Sequence, residues 1–274
     1  MTLRAGVVGS PARHSLSPLI HGAWLTAAGV DGVYELFDIA PDGFQHLADH
    51  VRALGFTGLN VTLPFKEEAL AAAHTRSERA DAAGAANLLI FAEGRIQADN
   101  TDGLGLLYAL ETQAGFDPAG AIVALIGAGG AGRGAAAALV AAGAGEVRIV
   151  NRTRARADEL ARALGPRVTA FSEEQAQAAL HGAALLVNAT SLGLNGDSDL
   201  EAPLDALAKD AVVMDMVYKP LETGLIRAAK ARGFRTADGL QMLIGQAIPS
   251  FEAFYGFPPP ALDVRTLALK ALNS

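Results

Sequence analysis

The chain has 274 residues, 51% of them hydrophobic, and a formal net charge of −7. That is ample material for one large domain or two modest ones; it excludes a disordered chain and argues against a protein whose affinity rests on neutralising nucleic-acid phosphates. With no cysteine, disulfides, thiolate chemistry and Cys-based zinc sites are excluded.

In chain order, short apolar β-rich runs alternate with helical patterns. Strands are predicted at Arg4–Val8, Val33–Ile39, Gly58–Val61, Asn87–Phe91 and Arg95–Ala98, with helices at Leu19–Ala28 and Gly43–Leu54. The stretch Asn100–Asp117 reads as a joining helix. A second set of strands follows at Ile122–Ile126, Val147–Val150, Val168–Phe171, Leu185–Asn188, Val212–Met216 and Phe234–Thr236. Between them lie helices at Ala131–Ala142, Ala155–Leu164 and Leu221–Ala231. The end of the chain, Gly239–Ser274, is helical without a strand, a pattern suited to folding back onto the first domain. Such alternation indicates α/β architecture with mostly parallel sheets, and two sheets fit better than one. The start, Met1–Arg13, does not read as a signal peptide, and Ala121–Ala131 is too short to span a bilayer, so the cytoplasm is expected. Neither a membrane nor a nucleic acid is expected as partner.

Strand Ile122–Ile126 leads into Gly127-Ala-Gly129-Gly130-Ala131-Gly132 and then a helix. A GxGxxG pattern in this context lets the chain turn, lets backbone approach a pyrophosphate and lets helix and strand pack closely. The helix N-terminus supplies N–H groups to the phosphates. After the next strand, NAD-binding chains place a carboxylate on the ribose 2′-OH. Here the sequence reads Asn151-Arg152-Thr153-Arg154-Ala155-Arg156, with no acid and three arginines. Guanidinium groups pair with a 2′-phosphate in fork geometry, which favours NADP. Arg154 reads as an ordinary surface residue of the helix. Thr190 and Ser191, after another strand, suit either a cofactor contact or a cap.

Near the start, Ser15 and Ser17 stand two residues apart before Pro18. They form either a cradle for a small anion or a plain helix cap. Asn60, Thr62 and Lys66 follow in a strand-to-helix stretch, with Lys66 in a first helical turn where a cation opposes the macrodipole. Asp102 opens the joining helix as an N-cap candidate, and Asn87 stands at a strand start. The six histidines show no metal-ligand spacing, so no metal is expected. If the chain reduces a ketone, Lys66 is the leading proton source.

Several of these blocks recur together in one enzyme family. They are HSLSP at His14–Pro18, NVTLPFK at Asn60–Lys66, Asn87, NTDG at Asn100–Gly103 and GAGGAGR at Gly127–Arg133. NRT at Asn151–Thr153, DMVYKP at Asp215–Pro220 and GLQMLIGQA at Gly239–Ala247 complete the set. In order and over nearly the whole chain, they resemble shikimate dehydrogenase. The resemblance implies two α/β domains: an N-terminal mixed substrate domain and a Rossmann-type doubly wound parallel-sheet NADP domain, with the active site in the cleft between them. The expected boundaries are 1–101, completed by 240–274, for the first and 102–239 for the second. The resemblance also implies reversible NADPH-dependent reduction of 3-dehydroshikimate to shikimate, within aromatic amino-acid biosynthesis, by a monomer or homodimer. It makes Lys66 and Asp102 catalytic and assigns Ser15, Ser17, Asn60, Thr62, Asn87, Tyr218 and Gln246 to the substrate. The cofactor set is Gly127, Gly129, Gly130, Ala131, Asn151, Arg152, Thr153, Arg156, Thr190, Met216 and Gly239. Two departures stand out: Gly22 where family members commonly have Asn, and Leu88 where they commonly have Thr. Rivals are an NAD-linked quinate/shikimate enzyme, a non-catalytic NADP sensor and a folate-type dehydrogenase.

Overall fold

The computed structural model describes residues 2–196 and 198–272. The chain begins β1 (Leu3–Gly9), α1 (Ser17–Ala28), β2 (Gly32–Asp38), α2 (Phe44–Ala53), β3 (Gly58–Val61) and α3 (Lys66–Ala71). It continues β4 (Thr75–Arg76), α4 (Glu78–Ala83), β5 (Leu88–Ala92), β6 (Arg95–Asp99) and α5 (Asp102–Ala114). Next come β7 (Ile122–Ile126), α6 (Gly130–Ala141), β8 (Glu146–Val150), α7 (Arg154–Leu164), β9 (Val168–Phe171) and α8 (Ala176–Leu180). The chain then forms β10 (Leu185–Asn188), β11 (Val212–Asp215), α9 (Gly224–Ala231), β12 (Arg235–Asp238), α10 (Gly239–Tyr255) and α11 (Val264–Leu272). Every strand expected from the sequence is present. The helix expected to open at Lys66 is α3; the additions are β4 and the short helices α4 and α8, which offer too few residues for a hydrophobic period to show. Helix α9 starts later than Leu221 because the Thr223 hydroxyl caps it, accepting the Ile226 N–H.

Two compact units result: Met1–Thr101 with Ile244–Ser274, and Asp102–Leu243. The edge near residue 243 falls inside α10 rather than at its start at Gly239.

The sheet of the first unit has the order β2-β1-β3-β5-β6-β4. Strand β1 pairs parallel with β2 and β3, while β5 runs antiparallel to β3 and β6. Val8, Leu59, Val61, Leu89 and Ile96 pack with Phe44 and Val51 of α2 and with Ala69 and Leu70 of α3. A second, aromatic cluster joins His21 and Trp24 of α1 to Tyr34 of β2 and to Phe251, Phe254 and Tyr255 of α10. The Tyr255 hydroxyl donates to the Val33 carbonyl at 3.1 Å, pinning α10 to β2. Gly58 permits this approach, because a Cβ there would lie 2.2 Å from the Leu89 carbonyl and 2.6 Å from the Phe254 ring.

The second unit holds an all-parallel sheet, order β12-β11-β10-β7-β8-β9. Its strands β7, β10 and β11 are apolar on both faces because both are covered. Val123, Leu125, Val187 and Met214 pack with Leu106 of α5 and Leu139 of α6, whereas Ala124, Leu186 and Val213 pack with Leu180 of α8 and Leu225 of α9. The strand order reverses between β7 and β10, so the crevice for a ligand opens at the carboxyl ends of those strands. Among the described residues, no helix is long and apolar enough to cross a membrane.

Candidate active site

In the first unit, three of the expected substrate residues, Asn60, Asn87 and Gln246, share one hydrogen-bonded network. Helix α1 begins at Ser17 itself, with Leu16 in the cap position and no side-chain cap, so the Ser17 hydroxyl is not spent on capping. It lies close enough to the phenol of Tyr34 to lower its pKa slightly. Tyr34 donates to Asn60 Oδ1 at 2.7 Å. Asn60 Nδ2 donates to the Asn87 carbonyl at 3.1 Å and to Ser250 Oγ at 2.9 Å. Asn87 Oδ1 accepts the Thr101 N–H at 2.8 Å, and its Nδ2 reaches Thr101 Oγ1 at 3.0 Å and Gln246 Oε1 at 3.4 Å. Ser17, Asn60, Asn87, Thr101, Gln246 and Ser250 are all buried. Ser15, half-buried, accepts the Ser17 N–H at 3.3 Å.

Sequence reasoning missed Tyr34, Thr101 and Ser250. Thr101 lies inside the NTDG block, and Ser250 follows Gln246 by one helical turn, which puts both on one face of α10. Tyr34 gave no signal in a strand of ordinary composition. Burial, with the charge of a nearby Tyr255 second, pushes its pKa well above the usual phenol range, against a smaller opposite effect of the nearby Ser17 hydroxyl. Its proton therefore stays in place for Asn60.

Thr62 follows β3, and its methyl occupies the space a Cβ on Gly9 would need, 2.4 Å away. Lys66 is the first residue of α3, with Glu67 and Glu68 in the same turn to offset its opposition to the macrodipole. Asp102 stands in the first turn of α5 rather than at its cap, a favourable place for a carboxylate. The preceding residue, Thr101, is the one whose N–H Asn87 holds.

In the second unit, the glycine-rich loop leads from β7 to α6. Gly127 has φ 112°, and a Cβ on Gly132 would lie 2.1 Å from the Gly127 carbonyl, so both positions need glycine. Added Cβ atoms on Gly129 and Gly130 would meet nothing within 4 Å; these residues and Ala131 are exposed at the start of α6. Asn151 accepts the Ala128 N–H at 3.0 Å and donates to the Thr153 carbonyl at 2.9 Å, tying the loop after β8 to the glycine loop. Arg154 pairs with Asp158 at 3.0 Å and Arg133 with Glu159 at 3.0 Å. The exposed guanidinium groups of Arg152 and Arg156 have no partner among the described residues.

Thr190 resolves differently. Its hydroxyl donates to Asn188 Oδ1 at 2.7 Å and accepts the Leu192 N–H at 3.1 Å, so it is committed within its own loop. Its methyl lies 3.0 Å from where a Gly127 Cβ would be. Gly239 at the start of α10 comes against the Met216 carbonyl, which a Cβ would approach to 2.2 Å. Burial raises the pKa of Tyr218. An open, glycine-lined helix N-terminus beside these two guanidinium groups fits a dinucleotide carrying an extra phosphate.

Residues 7–89 match the family model described as shikimate dehydrogenase substrate binding domain, and residues 111–195 match shikimate / quinate 5-dehydrogenase. The chain belongs to the shikimate dehydrogenase family. It is 55% identical to a shikimate dehydrogenase (NADP(+)) of Caulobacter vibrioides, over 98% of this chain and 95% of that one. The crystal structure of shikimate 5-dehydrogenase from Thermus thermophilus, in complex with NADP(H) and shikimate, superposes with a TM-score of 0.88 at 39% identity, covering 98% of this chain and 99% of that one. A quinate dehydrogenase from Corynebacterium glutamicum in complex with NAD gives a TM-score of 0.90 at 31% identity, covering 98% of this chain and 99% of that one.

The two departures from the shikimate dehydrogenase pattern leave the network intact. A Cβ on Gly22 would meet nothing within 4 Å, and Leu88 is buried in the core. His21, just before Gly22, is wholly buried and stacks face to face on Tyr34, with centroids 4.0 Å apart at 11°. Neither of its ring nitrogens has a hydrogen-bond partner among the described residues. Burial depresses its pKa from 6.5 to about 3. Between those values the unfolded chain binds a proton that the folded one does not, so stability rises with pH through this window and is lost as pH falls. From pH 7 to pH 5 this one group costs about 2 kcal/mol. Urea midpoints at the two pH values should therefore separate less in His21→Leu than in the unaltered protein, by that order. An identical separation in both would contradict burial of a neutral imidazole.

Proposed function

We propose that this chain is an NADP-dependent shikimate dehydrogenase that reversibly reduces 3-dehydroshikimate to shikimate, acting in the cytoplasm as a monomer or a homodimer. The observation that carries the reading is the buried network joining Tyr34, Asn60, Asn87 and Gln246, with buried Ser17 beside Tyr34. It groups hydroxyl and amide functions suited to a small ring bearing a carboxylate and several hydroxyls. The Caulobacter vibrioides relative is named shikimate dehydrogenase (NADP(+)), and the Thermus thermophilus one shikimate 5-dehydrogenase.

The unit around β1 holds the substrate and the unit around β7 holds the nucleotide. Ser15 and Ser17 donate hydroxyl hydrogens to the substrate carboxylate. Asn60, Thr62, Asn87 and Gln246 read the ring hydroxyls, and Tyr218 completes the substrate set. Backbone N–H groups of the loop carrying Gly127, Gly129, Gly130 and Ala131 receive the pyrophosphate. Asn151 fixes that loop against the next one, where Arg152, Thr153 and Arg156 take the 2′-phosphate. Thr190, Met216 and Gly239 shape the other half of the nucleotide site.

NADPH, when bound, supplies the hydride, and NADP takes it up in the reverse direction. As negative charge develops on the carbonyl oxygen, Lys66 stabilises it and delivers a proton there. Asp102 accepts a hydrogen bond at the same hydroxyl and keeps it aimed. Asn87 supports this indirectly, because it fixes the backbone at Thr101.

Three substitutions test the assignment. Arg152→Ala should raise the KM for NADP about ten- to a hundred-fold, the worth of a charge-assisted bond, and leave that for NAD nearly unchanged. Equal effects on both cofactors would remove Arg152 from the 2′-phosphate. Lys66→Ala should lower kcat by about 10²–10⁴ with the KM for shikimate held within a small factor. Adding Asp102→Ala should cost much less than the product of the single losses, as for residues acting as a unit. Near-normal kcat with a raised KM would make Lys66 a binding residue and move the proton source elsewhere.

A further inference from the structure

One buried carboxylate has no part in the scheme above. Asp215, at the end of β11, is 1% exposed. No cation pairs with it among the described residues. Its partners are neutral: Oδ1 accepts Asn188 Nδ2 and the Val217 N–H, each at 3.0 Å, and Oδ2 accepts the Thr223 hydroxyl at 2.7 Å. A buried charge without a counter-ion is expensive, and three converging donors offset that cost only while they stay in place.

Those donors lead to two loops. Val217 lies between Met216 and Tyr218. Asn188, held by its Nδ2, turns its Oδ1 to both the N–H and the hydroxyl of Thr190, at 3.0 and 2.7 Å. The Met216 N–H in turn donates to the Asn188 carbonyl at 3.0 Å. In the sheet, β10 and β11 lie on one side of β7, and β8, whose end carries Arg152, lies on the other. A dinucleotide crosses such a sheet at the switch point, with one nucleotide over each half. With the 2′-phosphate at β8, the loops after β10 and β11 take the nicotinamide half.

We propose that Asp215 is a positioning residue that locks the loops after β10 and β11, and with them Thr190, Met216 and Tyr218, in the arrangement that receives the nicotinamide half of NADP. The inference rests on the NADP-linked function proposed above. A carboxylate serves here because both oxygens must accept. An amide would turn an NH2 group toward Thr223 or toward the two loop donors.

The test compares two probes on the full-length protein. NADPH binding is followed by its fluorescence, and binding of adenosine 2′,5′-bisphosphate, which lacks the nicotinamide half, by calorimetry. Asp215→Asn should weaken NADPH about tenfold, since a charge-assisted set of bonds becomes a neutral one, while the adenosine bisphosphate stays within about twofold, the unperturbed value for a distant site. Asn188→Ala, which removes one of the three donors to Asp215 together with the arm to the Thr190 loop but leaves the Val217 and Thr223 bonds, should shift NADPH in the same direction by less and decides the matter if Asp215→Asn does not fold. Unchanged NADPH affinity in a folded variant overturns the proposal. So does equal weakening of both probes, which would mean the whole unit has loosened. An unaltered protein that fails to bind NADPH overturns the NADP-linked function and this inference together; an unaltered protein that binds it, matched by its variants, overturns this inference alone.

Discussion

The Asn87 side chain is the constraint on which the substrate-side arrangement depends. It is buried, so its carbonyl and amide must find partners within the protein. It finds them at Thr101 and Gln246, and its backbone carbonyl takes the amide of Asn60. One residue thereby fixes a strand of the first sheet, the segment entering α5 and a helix near the end of the chain. Removing it would leave several buried groups unpaired at once, a penalty that falls on geometry as much as on stability.

The nucleotide-side unit solves a similar problem with similar chemistry. Asn188 ends a central strand and, with Asp215, ties the chain at the point where two parallel strands stop and their loops begin. Parallel sheets covered on both faces leave the carboxyl ends of strands as the place where polar function can be displayed. A short amide with both donor and acceptor is well suited to hold such an end. The glycine loop needs no side chain at all: Gly127 and Gly132 meet backbone to backbone, and the open faces of Gly129 and Gly130 leave room for a ligand.

Much of this was legible in the sequence because it is written locally. The run IVALI followed by Gly127–Gly132 announces strand, turn and helix within a few residues, and the absence of an acid after Val150 reads directly as a preference for a phosphate. Arg154, read from the sequence as an ordinary surface residue of the helix, pairs with Asp158 at i,i+4 spacing. What escaped was non-local. Tyr34 meets Asn60 across the sheet, and Ser250 reaches Asn60 from a helix far along the chain. No periodicity records such encounters. The Thr190 hydroxyl, open to two readings in the sequence, proved to be engaged by Asn188. Asp102 moved from a cap to a first-turn position, because Thr101 precedes it in the grip of Asn87.

The chemistry assigned to the two units meets in one quantity, the preference for a particular pair of substrate and cofactor. Initial rates of nucleotide reduction, followed at the absorbance of the reduced nicotinamide, with shikimate or quinate and with NADP or NAD give four values of kcat/KM. The account predicts that shikimate with NADP is the largest, and exceeds shikimate with NAD by about tenfold or more, the least that a charge-assisted contact to the 2′-phosphate contributes. Equal or greater efficiency with NAD, or turnover of quinate in place of shikimate, would contradict it.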